Sequence, residues 1–245
     1  MATTTAMQNT ENPSASDSRQ GSRTGGPALI AATGAFAPIN EQLQLLRSRV
    51  QKWAQDQKGR AILVTSALHS EGRSFIALNL AVALTRAGAD VLLVDADFDN
   101  PALQRVLGVP AAPGLLNYIA GEGDDIRMCQ HATRVPRLMV APPGRKTPGA
   151  YEALSSARMH QFVAEARSQQ PARYIIIDSR PALAVPDAQI ISSMVDGVLI
   201  VVAGSTPRPL VSKVVDAFRD ERLLGVVVNR FSPSYSVART LKVSA

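Results

Sequence analysis

The sequence predicts an α/β domain: a doubly wound, mostly parallel sheet with helices on both faces. Three observations predict it. The apolar runs Ile62–Val64, Val91–Val94, Ile175–Ile177 and Val198–Val202 are continuous rather than alternating, as in strands buried on both faces. Segments with helical spacing separate them. The polar residues Ser74, Asp95, Asp97, Asp178 and Asn229 all fall just after such runs, and ligands of parallel sheets bind beyond the carboxyl ends of the strands.

Residues 1–37 are rich in Thr, Ser, Asn, Gln and Gly and are expected to be disordered. Pro38-Ile39-Asn40 opens a helix, assigned to 38–58, on which Leu43, Leu46, Val50 and Trp53 form one stripe. A single domain is expected over 59–232. It starts with a strand at 61–66 and the loop Ser66–Phe75, followed by a helix to about Ala87 with Gly88 as its C-terminal cap. A second strand ends in Asp95-Ala96-Asp97. Short helices are expected at Pro101–Leu107 and Gly114–Ala120, a short strand at Leu138–Val140, and a loop from Pro142 to Gly149. One helix over about 151–168 leads to the strand Tyr174–Ile177, which ends in Asp178. The strand Val198–Val202, a helix at about 208–220 and a strand Gly225–Val228 ending in Asn229 complete the core, leaving 233–245 as a short tail.

With 46% apolar and 19% charged residues, the 245-residue chain is globular in composition. The net charge of +6 belongs to the folded part, because Arg19 and Arg23 balance Glu11 and Asp17 in the first 38 residues. No Lys/Arg block is dense enough for a nucleic-acid stripe. Cys129 is the only cysteine, so no disulfide framework can form within the chain. No apolar stretch reaches the ~18 residues needed to span a bilayer. No basic and apolar leader opens the sequence, so a cytoplasmic location is expected.

A strand, a small-residue loop ending Gly72-Arg73-Ser74, then a helix is how a chain builds a phosphate cradle. Ser70, Glu71, Gly72, Arg73, Ser74 and Phe75 would offer backbone N–H groups to an anion, and Ser74 is placed to ligate Mg²⁺. Asp178 closes an apolar strand, where a carboxylate needs a partner such as a metal ion. Asp95 and Asp97 lie two residues apart on an extended stretch and so share a face. Phosphoryl transfer needs Mg²⁺ and a group that orients or deprotonates the nucleophile, and these aspartates suit the second need. His69, His131 and His160 lack metal-ligand spacing.

Ser66–Phe75, Leu92–Pro101 and Tyr174–Pro181 together resemble the bacterial tyrosine kinases of capsule and exopolysaccharide synthesis, which are relatives of the MinD/ParA ATPases. The similarity covers about residues 38–230. It implies the P-loop NTPase fold, ATP and Mg²⁺ as cofactors, and transfer of the γ-phosphoryl group to protein tyrosine. It further implies Ser74, Asp97 and Asp178 at the metal, Arg73, Asp95 and Asp97 in catalysis, and Asn229 at the adenine. The implied partners are a membrane co-polymerase or chain-length-determinant protein and further copies of the chain, with no nucleic acid. The implied location is peripheral to the inner membrane.

The chain departs from the family pattern at several points. Arg73 replaces the loop lysine, Arg180 a proline after the strand, and Phe98-Asp99-Asn100 a basic stretch. Gln44 stands between Glu41 and Arg47, where the family's oligomerisation helix has arginine. The tail offers only Tyr235 instead of a tyrosine cluster, while Tyr118, Tyr151 and Tyr174 read as structural. These departures support an alternative, a nucleotide-binding regulatory subunit of the same machinery. A MinD/ParA-like ATPase is a further alternative, although Leu68 replaces the extra loop lysine of that group.

Overall fold

The computed structural model describes residues 37–55, 60–170, 172–219 and 223–230. The expected disordered segment 1–37 lies, except for its last residue, outside the described residues, as does the tail 233–245. Among the described residues, seven strands form one sheet in the order β3-β4-β2-β5-β1-β6-β7. They are β1 (Ala61–Ser66), β2 (Val91–Asp95), β3 (His131–Ala132), β4 (Leu138–Ala141), β5 (Tyr174–Asp178), β6 (Gly197–Ala203) and β7 (Leu223–Asn229). Every pairing is parallel except β3 with β4.

The continuous apolar runs are buried on both sides because alternate residues feed two cores. Ile62, Val64, Leu93, Ile176 and Val201 face α1 (Ala37–Gln55), α2 (Arg73–Arg86) and α3 (Leu103–Leu107). Leu63, Leu92, Ile177, Val198 and Ile200 face α4 (Leu115–Ile119), α5 (Ala157–Gln169), α6 (Asp187–Ser192) and α7 (Arg208–Asp216). The stripe on α1 docks as its spacing predicts: Leu43 and Val50 are buried, and Leu46 and Trp53 are half-buried. Gly197 permits this packing, since a Cβ there would lie 2.9 Å from Trp53 Cζ2 and 2.6 Å from Leu224 Cδ1.

Local chemistry sets several boundaries. Gly88 takes the left-handed conformation (φ +88°) that ends α2, and its N–H reaches the Thr85 carbonyl at 2.9 Å. The single helix expected over 151–168 is instead two elements. A 3₁₀ turn (Glu152–Ser155) ends at Ser156, whose extended backbone and side chain cap α5 by accepting from Met159 N. The segment after β5 runs without helix past Pro181 and forms α6 only after Pro186. The two-residue strand β3 and the 3₁₀ turn Ile126–Cys129 carry no periodic signal in four or fewer residues. Among the described residues, no helix is long and apolar enough to cross a membrane.

Candidate functional site

The loop between β1 and α2 is bent by two left-handed residues, Ser70 (φ 62°) and Gly72 (φ 94°). Only glycine fits at position 72, since a Cβ would also lie 2.1 Å from Asn229 Nδ2. No side chain caps α2, and its first backbone bond within the helix runs from Ile76 N to the Gly72 carbonyl at 3.0 Å. The N–H groups of Arg73, Ser74 and Phe75 therefore lack intrahelical partners, and they sit at the positive end of a 14-residue helix. That is the physical basis of an anion cradle.

The loop is latched from behind by the side chain of Glu71, while its backbone remains on the side expected to face a ligand. Glu71 is buried, and its Oε2 accepts from Leu68 N at 2.7 Å. Its Oε1 accepts from the Thr206 hydroxyl and, at 3.3 Å, from Ala203 N at the end of β6. Only the backbone of Glu71 is left to serve a ligand. Asn229 completes the latch by donating from Nδ2 to the Glu71 carbonyl at 2.9 Å. The half-buried Phe75 ring packs against the core cluster shared with α1 and α3, so this residue too offers its backbone.

The carboxylates gather at the ends of β2 and β5, where Asp95 and Asp178 lie opposite each other in register. Asp95, Asp97 and Asp178 are almost fully buried. Asp95 accepts from Asp97 N at 3.2 Å and from Leu103 N, the first residue of α3, at 3.4 Å. Asp97 Oδ1 takes the N–H groups of Asp99 (3.3 Å) and Asn100 (3.0 Å). The Arg73 guanidinium lies across this group, donating to Asp97 Oδ2 and to the Ser179 carbonyl, with Nε 3.9 Å from Asp178 Oδ1.

One guanidinium facing three buried acids leaves charge uncompensated. Burial, and next the charge of Asp178, push the Asp95 carboxyl well above the ordinary range. Asp97, its expected partner by sequence spacing, contributes less. Burial pushes Asp178 up to about 7, against the opposing pull of the Arg73 charge and the Ser74 hydroxyl.

The donor set fits a P-loop Mg²⁺ site. Asp178 Oδ1 is buried with no hydrogen-bond partner, and Ser74 stands beside it. Among the described residues, no three His, Cys, Asp or Glu side chains form a ready-made cage. This suits a cation that takes one or two carboxylates and completes its shell with phosphate and water.

Three loops close the opposite side of the acidic group. Arg180 Nε donates to Asp187 Oδ2 at 2.6 Å and its NH1 to Asp99 Oδ2 at 3.0 Å, while Lys146 Nζ meets Asp99 Oδ1 at 2.5 Å. Lys146, then Tyr151, hold the Asp99 carboxyl at about 2. Burial, and next Asp99, push the Tyr151 hydroxyl well above the ordinary phenol range. Tyr118 and Tyr174 are buried core residues, with Tyr118 edge-on to Phe162 at 5.7 Å.

Sequence reasoning used Glu71 for its backbone alone and missed its latch to Thr206 and the anchor at Asp187, since neither Thr206 nor Asp187 belongs to a motif. A Glu directly before the loop glycine was the one available signal.

A glycine-bent loop feeding an uncapped helix, beside buried carboxylates at the rim of a parallel sheet, defines a P-loop nucleotide-binding domain. The CbiA family, the CobQ/CobB/MinD/ParA nucleotide binding domain, matches residues 62–243. Tyrosine-protein kinase YwqD of Bacillus subtilis is 30% identical over 204 residues, covering 82% of this chain and 85% of that protein. Tyrosine-protein kinase CpsD of Streptococcus agalactiae is 33% identical over 200 residues, covering 79% and 84%. The solved BceF tyrosine kinase domain superposes with a TM-score of 0.73 at 28% identity, covering 82% of this chain and 81% of its own. The chain belongs to the CbiA nucleotide-binding family and, within it, to the bacterial tyrosine kinases of capsule and exopolysaccharide systems.

Proposed function

We propose that the chain binds ATP with Mg²⁺ at this rim and transfers the γ-phosphoryl group to a protein tyrosine, regulating polysaccharide polymerisation and export. The observation that carries the reading is the juxtaposition of two groups of opposite need. Three N–H groups at the start of α2 await an anion, and a buried Asp178 oxygen beside Ser74 awaits a cation. Magnesium triphosphate satisfies both.

In this reading the N–H groups of residues 70–75 hold the β- and γ-phosphates, and Ser74 and Asp178 hold the ion directly, with Asp97 reaching it through water. Bound there, Mg²⁺ would neutralise phosphate charge and favour departure of ADP. Arg73 exchanges its contact with Asp97 for phosphate oxygens and so frees that carboxylate. The tyrosine oxygen bonds to the γ-phosphorus as the bond to the β,γ-bridging oxygen breaks. The phenolic proton passes to Asp97, with Asp95 behind it fixing the loop through Asp97 N. Asn229, which holds the Glu71 carbonyl, would contact the adenine.

The partners proposed are a membrane co-polymerase or chain-length-determinant protein, which would bring the chain to the inner membrane, and further copies of itself. Glu41 and Gln44 are exposed on α1 and available for such contacts.

Calorimetric titration with ATP and millimolar Mg²⁺, followed by radiolabelled transfer to tyrosine with a co-polymerase partner, tests the reading. Binding and labelled phosphotyrosine that both fall in Asp178→Ala are expected. No affinity for ATP, or binding without any transfer to tyrosine, would overturn it.

A further inference from the structure

Tyr151 stands where the loops after β2, β4 and β5 converge, on the Asp97 side of the site. One side of its ring meets Phe98, with centroids 5.3 Å apart and planes tilted by 34°. The Arg180 guanidinium carbon lies 3.4 Å from the ring centroid, and Lys146 Nζ lies 5.6 Å from it. The hydroxyl oxygen is buried and faces Asp99 without a hydrogen bond of normal geometry.

The walls of this seat come from the site itself. Phe98 and Asp99 follow Asp97 directly, and Arg180 stands two residues after Asp178. Arg180 is held rigidly between Asp187 and Asp99. An apolar face, a cationic face and carboxylates ahead of the hydroxyl are what a receptor for a phenol requires. A purely structural ring would need a hydrogen bond of normal geometry to offset burial of its oxygen, and this hydroxyl makes none. The segment carrying the ring is a loop rather than sheet or core helix, and Gly149 (φ 78°) turns the chain just before it.

We propose that this seat is the phosphoacceptor subsite for a tyrosyl side chain, and that Tyr151 occupies it as an internal stand-in for substrate. The proposal rests on the kinase reading above. Since an occupied site lowers apparent affinity by the fraction of time it is open, a ring seated ten times in eleven weakens acceptor binding about tenfold.

The test uses N-acetyl-tyrosinamide as the probe, followed by NMR without nucleotide on the full chain. Tyr151→Ala is expected to bind it about tenfold more tightly than the wild type. Tyr151→Phe, which keeps the ring, should remain as closed as the wild type. In the wild type itself, the Tyr151 ring resonances, identified by their absence in Tyr151→Phe, should shift at high probe concentration. This arm needs no alanine variant to fold. Equal binding by wild type and Tyr151→Ala, an open Tyr151→Phe, or unshifted ring resonances would overturn the proposal.

Phosphoryl transfer to a glutamate–tyrosine copolymer then separates the two levels of argument. Faster transfer by Tyr151→Ala supports the acceptor assignment. Equal transfer by both chains overturns it while the kinase reading stands. No transfer by any chain removes the kinase reading and the acceptor assignment with it.

Discussion

Replacing Glu71 by Ala tests whether the phosphate loop is held in shape from behind. Glu71 is 3% exposed and accepts from Leu68 N, Ala203 N and the Thr206 hydroxyl. The three partners do not suffer equally. Ala203 N also bonds Thr206 Oγ1 at 3.0 Å, so it keeps an acceptor, and the Thr206 hydroxyl can rotate. Leu68 N keeps nothing. One orphaned N–H at about 1–3 kcal/mol and one lost charge-assisted bond at about 1.5–3 kcal/mol give a loss of about 2.5–6 kcal/mol. Urea denaturation followed by circular dichroism reads that loss. A fluorescent ATP analogue reads the second consequence, affinity weakened at least about tenfold because the cradle is correctly shaped for less of the time. Glu71→Gln, which can still accept from Leu68 N, should lose about half as much stability. Were Glu71→Ala to stay within about 1 kcal/mol of the wild type with unchanged nucleotide affinity, the loop would be holding itself and the latch argument would fail.

Three further outcomes follow from the same geometry. Gly72→Ala combines a left-handed backbone with the overlap on Asn229, and should cost about 2–3 kcal/mol and abolish measurable ATP binding by calorimetry. Arg73→Ala strips the buried Asp97 and Asp178 of their cation and should cost about 3–5 kcal/mol near neutral pH in thermal or urea melts, less in acid as the carboxyls protonate. In apo protein the folded state holds a proton on Asp178 up to about 7, whereas the unfolded chain releases it near 3.8, so this group makes stability fall as pH rises between those values. Asp178→Asn should therefore melt higher than the wild type at about pH 8 and converge with it near pH 5; a gap independent of pH would contradict the assigned cause.

The architecture was legible because a two-faced parallel sheet leaves an unmistakable trace. Four continuous apolar runs with helices between them fix the class, and Gly72 and Gly88 mark a bend and a helix end from their identity alone. Short elements were not legible. The split at Ser156 depends on one side chain turning back to Met159 N, and strand β3 exists because β4 offers it an edge. Within the site, local spacing suggested Asp95 with Asp97, but the register of β2 against β5 gives Asp95 a stronger neighbour in Asp178.

The sequence by itself determined which residues reach the carboxyl rim, because strand ends and loop chemistry are local properties of the chain. Only the tertiary structure decided what those residues face. Arg73 turns to Asp97, Glu71 turns away to Thr206, and Arg180 closes over Tyr151, pairings that span 24 to 135 positions. No local rule encodes such partners; they are set by the order in which seven strands lie side by side.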